Sequence, residues 1–346
     1  MSPPAGRFAN LIIASTLYHV ILACVIARDT RFGGRSLLVL NTRRVEMASV
    51  YEPLAQAADS PFAATIEYPD VHGSKPARER ALGTWLARLD DDVHAERVVV
   101  FTDLTPELQL VCRRAVKRGA RTFCAEDGGI AYSSRSSASP WKRHWQRVVR
   151  FGPWIENVAA SGSSRHVQTY LALHAELVRP ELQLKPVWPL QAATLPDLLS
   201  AGWINRFLAR YEVSRDFLVC DEVYAPANVL DAGTGERLRK RLAPEIRAAR
   251  QAGRDCVVKY HPRSQGDFLG AVALGARVLP AAIPVELVYL ASRGRLSRVI
   301  GDRGTTLLSA RWLAPHAQAV SALELTGVND PWYARTLDRL GVQRLN

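Results

Sequence analysis

Cys256-Val257-Val258-Lys259-Tyr260-His261-Pro262-Arg263 reads as a short buried strand that runs directly into a polar loop. Open α/β sheets bind their ligands outside the carboxyl ends of the strands, so His261 stands where such a fold places a functional group. Pro262 keeps the preceding histidine out of the α conformation and helps to fix its direction. Working outward, the segments 217–220, 255–259, 276–279, 298–300 and 319–322 read as strands. Helical spacing between and after them predicts helices over 235–252, 284–292, 305–312 and 331–340. The amino-terminal half repeats the alternation. Strands are expected at 10–14, 36–41, 64–68, 98–101 and 121–125, with helices at 18–28, 46–57, 76–89 and 106–118. Short apolar strands separated by amphipathic helices imply right-handed βαβ units and parallel sheets.

The stretch 140–210 is helical, loop-rich and tryptophan-bearing, and it separates the two alternating halves. The expected architecture is therefore α/β, with two doubly wound Rossmann-type domains and a ligand cleft between the carboxyl ends of both sheets. The expected boundaries are 1–210 for an amino-terminal domain carrying the 140–210 insert, 211–330 for a second domain, and 331–346 for a terminal helix.

Bulk composition narrows the class. A chain of 346 residues, 48% of them hydrophobic, suits a soluble two-domain protein. The most apolar run, 11–27, is interrupted by His19 and closed by Arg28, and it falls short of the roughly 20 residues that span a bilayer. It also lacks the basic opening and small-residue cleavage site of a secretory signal, so a cytoplasmic location is expected. Cys24, Cys112, Cys124, Cys220 and Cys256 are scattered through apolar segments with no CxxC or metal spacing, which fits reduced core thiols. The formal net charge of +12 favours anionic partners without choosing among nucleic acid, anionic lipid and a phosphorylated substrate.

Four polar clusters fall at strand ends or helix starts. Glu126-Asp127-Gly128-Gly129 follows the strand ending at Ala125. Either carboxylate suits a general base, and the glycines let the backbone turn and a substrate approach; a solvated turn is the plainer alternative. Lys259 to Arg263 sets a histidine between cations, fit to bind a phosphate or protonate a leaving group, or simply to lie in a charged loop. Ile283-Pro284-Val285-Glu286 places Pro284 and Glu286 in a first helical turn, where the carboxylate either meets the helix dipole or accepts from sugar hydroxyls. Gly301-Asp302-Arg303-Gly304-Thr305-Thr306 joins a strand to a helix. Its amides and two hydroxyls make an anion site, unless the threonines only cap the helix. Asp221, at the end of the expected strand 217–220, is a reserve base, and Gly233-Thr234-Gly235 is either a phosphate loop or a helix start. Asp90-Asp91-Asp92, the one DxD-like run, lies between a helix and a strand and reads as a solvated turn.

Acid pair, His-Pro, Pro-x-Glu and paired hydroxyls, in this order, resemble the bacterial sialyltransferases and polysialyltransferases that build capsules and lipooligosaccharides on a GT-B fold. The first strand departs from that pattern: Ser15-Thr16-Leu17-Tyr18-His19 stands where a Ser-Pro-Leu-Gln type turn is usual, and Thr305-Thr306 replace the commoner serines. The resemblance implies a CMP-activated donor, most simply CMP-sialic acid, and inversion by direct displacement. It makes Asp127 or Glu126 the base, Asp127 by slight preference, and His261 the partner of the departing phosphate. It places Lys259, Pro262, Glu286, Gly304, Thr305 and Thr306 at the donor, with Ser15 and Thr16 beside them. One phosphate can be managed by a histidine, hydroxyls and amides, so neither metal nor cofactor is expected. The acceptor would be a glycan or lipid-linked glycan. Competing readings are the same architecture with CMP-Kdo or a UDP-sugar, and a non-catalytic basic protein that binds anionic lipid or nucleic acid. No zinc-finger, RNA-recognition or helix-turn-helix pattern is present, so nucleic acid is not an expected partner.

Trp141, Trp145 and Val148 or Val149 fall at helical spacing among Lys142, Arg143, Arg147 and Arg150. A basic helix with a tryptophan face suits the inner face of a membrane as a peripheral contact. It also suits packing beside the cleft, which is the expected role.

Overall fold

The computed structural model describes residues 6–42, 45–68, 81, 83–89, 93–226, 232–261, 264 and 266–345. The chain divides into two compact units. The first comprises Met1–Ala131, Arg135–Asp197 and Ala201–Phe207, and the second Tyr132–Ser134, Leu198–Ser200 and Leu208–Asn346.

The first unit is built on β1 (Gly6–Ala14), β2 (Ser36–Leu40), β3 (Ala64–Glu67), β4 (Val93–Val100), β5 (Arg121–Ala125), β6 (Thr169–Ala172) and β7 (Val187–Pro189). They form one parallel sheet in the order β3-β2-β1-β4-β5-β6-β7. A parallel sheet covered on both faces needs strands that are apolar throughout rather than alternating. All five residues of β2 are buried accordingly. The helix Leu17–Arg28, buried from His19 through Ile26, is apolar nearly all round for the same reason. Its end is set by Asp29, which turns the chain into an extended conformation.

The second unit contains β8 (Glu222–Ala225), β9 (Cys256–Lys259), β10 (Arg277–Leu279), β11 (Arg298–Gly301), β12 (Gln318–Ser321) and β13 (Gln343–Arg344). Its parallel order is β10-β9-β8-β11-β12-β13. Numbered from its own first strand this is 3-2-1-4-5-6, the order found in the first six strands of the other unit. Strand order therefore reverses between β1 and β4 and again between β8 and β11. Carboxyl ends at such switch points form the ligand crevice of doubly wound folds.

Several expectations need correction. β4 starts at Val93, five residues early, because β1 begins at Gly6 and pairs with it in register. His94 and Glu96 are exposed and interrupt the apolar pattern that would have revealed this extension. The region 140–210, expected without strands, supplies β6 and β7. β6 has only four residues, and β7 is a three-residue edge strand ending in proline, tolerated there because an edge leaves its missing N–H without a ladder partner. The expected strand 217–220 overlaps a short helix, Arg215–Leu218, capped by Ser214, whose hydroxyl accepts from the Phe217 N–H. The strand is displaced to β8, where a buried Glu222 broke the apolar signal; it is satisfied by the Tyr224 hydroxyl at 2.5 Å and Arg254 at 2.9 Å. Residues 233–235 open the helix Ala232–Gln251 rather than a phosphate loop. Of the expected helix 76–89, residues 83–89 are helical. Most of the rest, and the run Asp90–Asp92, lies outside the described residues.

All five cysteines are buried free thiols, and burial pushes Cys24 up to about 12 and Cys220 up to about 11. Such thiols stay protonated and inert. No described helix is long and apolar enough to cross a membrane.

Candidate active site

In the first unit the loops after β1, β4 and β5 meet at the sheet's carboxyl edge. Glu126 extends β5 by one rung, its N–H bonding to the Leu171 carbonyl at 2.9 Å. The carboxylate is fully buried, with one oxygen accepting from the Tyr18 hydroxyl at 2.8 Å and the other from the Leu173 N–H at 2.7 Å. Those bonds satisfy a charge that burial would otherwise penalise heavily. They also tie the helix after β1 and the loop after β6 to the end of β5, which makes Glu126 an anchor between these segments.

Asp127 differs. It is 34% exposed, and its Oδ1 lies 2.8 Å from Nε2 of His19. Nδ1 of the same ring accepts from the Ser15 backbone N–H at 3.2 Å. A ring nitrogen that accepts carries no proton, so the proton sits on Nε2 and is donated to Asp127. The imidazole is also stacked on Phe101, 4.3 Å between centroids with planes 5° apart. Backbone, carboxylate and aromatic face thus hold His19 in one orientation, and His19 holds Asp127. Gly128 follows with φ at +74°, a left-handed turn that glycine makes without strain.

Ser15 and Thr16, expected at the donor, have assignable work beside this carboxylate. Ser15 positions the imidazole through its N–H, and the Thr16 hydroxyl caps the helix by accepting from the His19 N–H at 3.2 Å. His19 and Tyr18 were missed as site residues. In sequence they are part of an apolar helix, and their partners lie 108 positions away. Asp103 was missed too: fully buried after β4, it accepts from the N–H groups of Gly162 at 2.6 Å and Ser164 at 2.9 Å and so shapes the loop that Lys185 closes from the other side.

In the second unit Lys259 ends β9. Its ammonium donates to the carbonyls of Pro280 at 3.0 Å and Ala281 at 2.6 Å. Burial lowers it to about 8, with the nearby Glu286 charge opposing the shift. Glu286 is buried, and burial raises its carboxyl above the ordinary range despite a 2.7 Å bond from the Ser309 hydroxyl. The expectation placed Glu286 at sugar hydroxyls; in this fold its carboxylate is taken up by the Ser309 hydroxyl. Ser309 lies on the helix that Thr305 and Thr306 begin. A second tie joins the same two helices, from the Tyr289 hydroxyl to the Thr306 carbonyl at 3.2 Å.

Gly304 is left-handed at φ +123°, and its carbonyl accepts from Tyr333 at 2.7 Å. Thr305 occupies the N-cap of the helix Thr306–Leu313 but makes no side-chain capping bond. Among the described residues neither the Thr305 nor the Thr306 hydroxyl is hydrogen-bonded, so the plainer explanation for them, capping, does not hold. His261 is half-buried in the loop after β9. That loop is braced by Tyr260, whose buried hydroxyl bonds to Asp267 and accepts from the Leu269 N–H at 3.3 Å. Pro262 lies outside the described residues.

Asp221 is removed from the candidate bases. It precedes β8, at the amino end of the sheet, and is paired with Arg295 at 2.8 Å; that bond holds its carboxyl below the usual range. A cavity of about 450 Å³ also lies away from the chemistry, at the amino ends of β1 and β4, lined by Leu11, Leu86, Leu89, Val93 and Val111.

No protein-family model and no curated protein sequence matches this chain. Solved structures do match it. The chain is similar to an α/β-galactoside α-2,3-sialyltransferase from Photobacterium phosphoreum, with a TM-score of 0.59 and 11% identity over 98% of this chain and 99% of that one. It is also similar to a UDP-GlcNAc 2-epimerase from Methanocaldococcus jannaschii, solved with UDP-GlcNAc and UDP, with a TM-score of 0.51 and 12% identity over 99% and 94%. At these identities the likeness concerns the fold, and together with the two sheet orders it makes this chain a GT-B-type pair of Rossmann-like α/β units.

Proposed function

We propose that this chain is an inverting glycosyltransferase that moves sialic acid from CMP-sialic acid to a hydroxyl of a surface polysaccharide or lipooligosaccharide. The observation that carries this reading is Asp127: a part-exposed carboxylate at a strand's carboxyl end, oriented through one oxygen by a histidine that is itself fixed. A base for a sugar hydroxyl needs that combination of access and orientation. The fold and the order of the four clusters support the donor class.

In this reading Asp127 takes the proton of the acceptor hydroxyl as its oxygen bonds to the anomeric carbon. The bond from that carbon to the CMP phosphate oxygen breaks on the opposite side, and CMP leaves with the electron pair. His261 donates to the phosphate as it departs. The hydroxyls of Thr305 and Thr306 and the first amides of the Thr306–Leu313 helix receive the phosphate charge. Lys259 directs two donors at protein carbonyls and keeps a third for the nucleotide. Glu286 acts from behind, holding the Thr306–Leu313 helix through Ser309.

A thermal-shift series with CMP, CDP, UDP and GDP tests the donor class. Stabilisation by CMP above the others is expected. Stabilisation by UDP instead moves the assignment to a UDP-sugar, and no response to any nucleotide, with no donor hydrolysis, removes the enzyme reading. His261→Ala should lower turnover by roughly 100-fold in a protein that still folds, as read by circular dichroism. Wild-type turnover in that variant would take the histidine out of the mechanism.

A further inference from the structure

The helix Trp141–Phe151 is the most amphipathic of the described helices, and its apolar face is bare. Trp141, Trp145 and Val149, spaced one helical turn apart, are 73%, 54% and 72% exposed. This overturns the expectation that the stripe packs on the body of the protein. The two indoles stack on each other, 5.7 Å between centroids and 24° between planes, and present one continuous ridge.

The base of the helix is well fixed. The Ser139 N–H donates to Asn157 Oδ1 at 2.7 Å, and Asn157 returns a bond to the Ser139 carbonyl at 2.9 Å. The Ser137 N–H meets the Ala159 carbonyl at 2.7 Å. Arg147 reaches the Leu104 carbonyl at 3.4 Å. The chain leaves the sheet, makes the helix and returns to a clamp, so the ridge is held outward. Lys142 and Arg143 are exposed beside it, and residues 141–151 contain no acid.

We infer that this helix seats the protein on an anionic phospholipid surface, lying in the interface with Trp141, Trp145 and Val149 among the acyl-chain boundary and Lys142 and Arg143 at the headgroups. Indoles prefer that depth because one edge is polar and the rest apolar. Cations flanking the ridge fit anionic headgroups, and the chain's net charge of +12 has the complementary sign. A partner protein would have to match a cationic helix with acids. A nucleic acid would need free indole faces, whereas these two are spent partly on each other. The inference is independent of the proposed transfer reaction.

The test is binding to vesicles of phosphatidylcholine alone and of phosphatidylcholine mixed equally with phosphatidylglycerol, followed by co-sedimentation and tryptophan emission. Binding should require phosphatidylglycerol, weaken with salt, and shift the emission to the blue with quenching by brominated acyl chains. K142Q/R143Q should reduce the partition coefficient by about fivefold per cation removed. W141S/W145S should reduce it by roughly tenfold or more with an unchanged melting temperature, since both side chains are exposed. Equal binding to the two compositions, or binding unaffected by both double variants, overturns the inference. So does a dimer in sedimentation velocity that W141S/W145S dissolves without vesicle binding, which gives the ridge to a second copy. Salt-sensitive binding of single-stranded RNA in place of vesicles overturns it as well.

Discussion

The two units share a strand order and put opposite kinds of chemistry at their carboxyl edges. In the first unit the ionisable groups are bonded to each other: Tyr18 to Glu126, His19 to Asp127, with Ser15 and Phe101 behind the imidazole. In the second, the helix after β11 begins with two hydroxyls that bond to nothing described, on a loop turned by a left-handed glycine. A group that must take a proton needs its direction fixed in advance, because misorientation directly costs rate. Groups that wait for an anion need unspent donors, because any internal partner would compete with the ligand. The contrast also runs within one dipeptide: Glu126 is buried with both carboxylate oxygens bonded, whereas its neighbour Asp127 is part exposed and, among the described residues, bonded through one oxygen.

Substitutions can break that contrast in order of size. Asp127→Asn keeps an oxygen for the His19 proton but removes the base. Turnover should fall on the order of 10² to 10⁴-fold with CMP binding and melting temperature retained; full activity would return Asp127 to the status of a loop residue. Glu126→Gln should do the reverse. Its amide cannot accept from both Tyr18 and the Leu173 N–H, so unfolding free energy should drop by about 2 kcal/mol, read by denaturant titration. A turnover loss as deep as that of Asp127→Asn, without loss of stability, would reverse the two roles.

Thr305→Ala and Thr306→Ala should each weaken CMP binding about tenfold, the worth of a hydrogen bond to a charged group, measured by calorimetry. Neither should lower stability, since among the described residues neither hydroxyl has a partner to lose. Taken per pH unit, the smallest effect concerns Lys259. Burial holds its amine at about 8 in the fold, below the ordinary lysine value of 10.5. Between those pH values the unfolded chain binds more protons than the folded one, so folding becomes more favourable as pH rises. Denaturation of wild type and Lys259→Met across this window should show the wild type gaining by at most about 1.4 kcal/mol per pH unit. A flat difference would mean that the ammonium is solvated.

Legibility in the sequence followed the locality of the signal. The expected strand 121–125 matches β5, because a buried parallel strand is written in consecutive apolar residues. Strands 169–172 and 187–189 were not legible: one is very short, the other closes on proline at an edge, and both are held by pairing to a neighbour rather than by their own pattern. Glu222 hid β8 because a charged residue reads as a loop unless the guanidinium of Arg254 is known to reach it. At the site, the residue types at 126, 127, 305 and 306 were visible as motifs. Their division of labour was not. Nothing in the chain order says that Glu126 is enclosed, that His19 orients Asp127 from within an apolar helix, or that Thr305 makes no side-chain cap.

By itself, then, the amino-acid order determined the alternation of apolar strands and amphipathic helices, hence two parallel sheets with polar clusters at their carboxyl ends, because those features depend on residues within a turn or two of each other. The tertiary structure alone decided which carboxylate is enclosed and which is presented, what orients it, and that the Trp141–Phe151 ridge is left bare. Exposure and hydrogen bonding are settled by segments that lie a hundred residues apart in sequence and touch only when the sheets have formed.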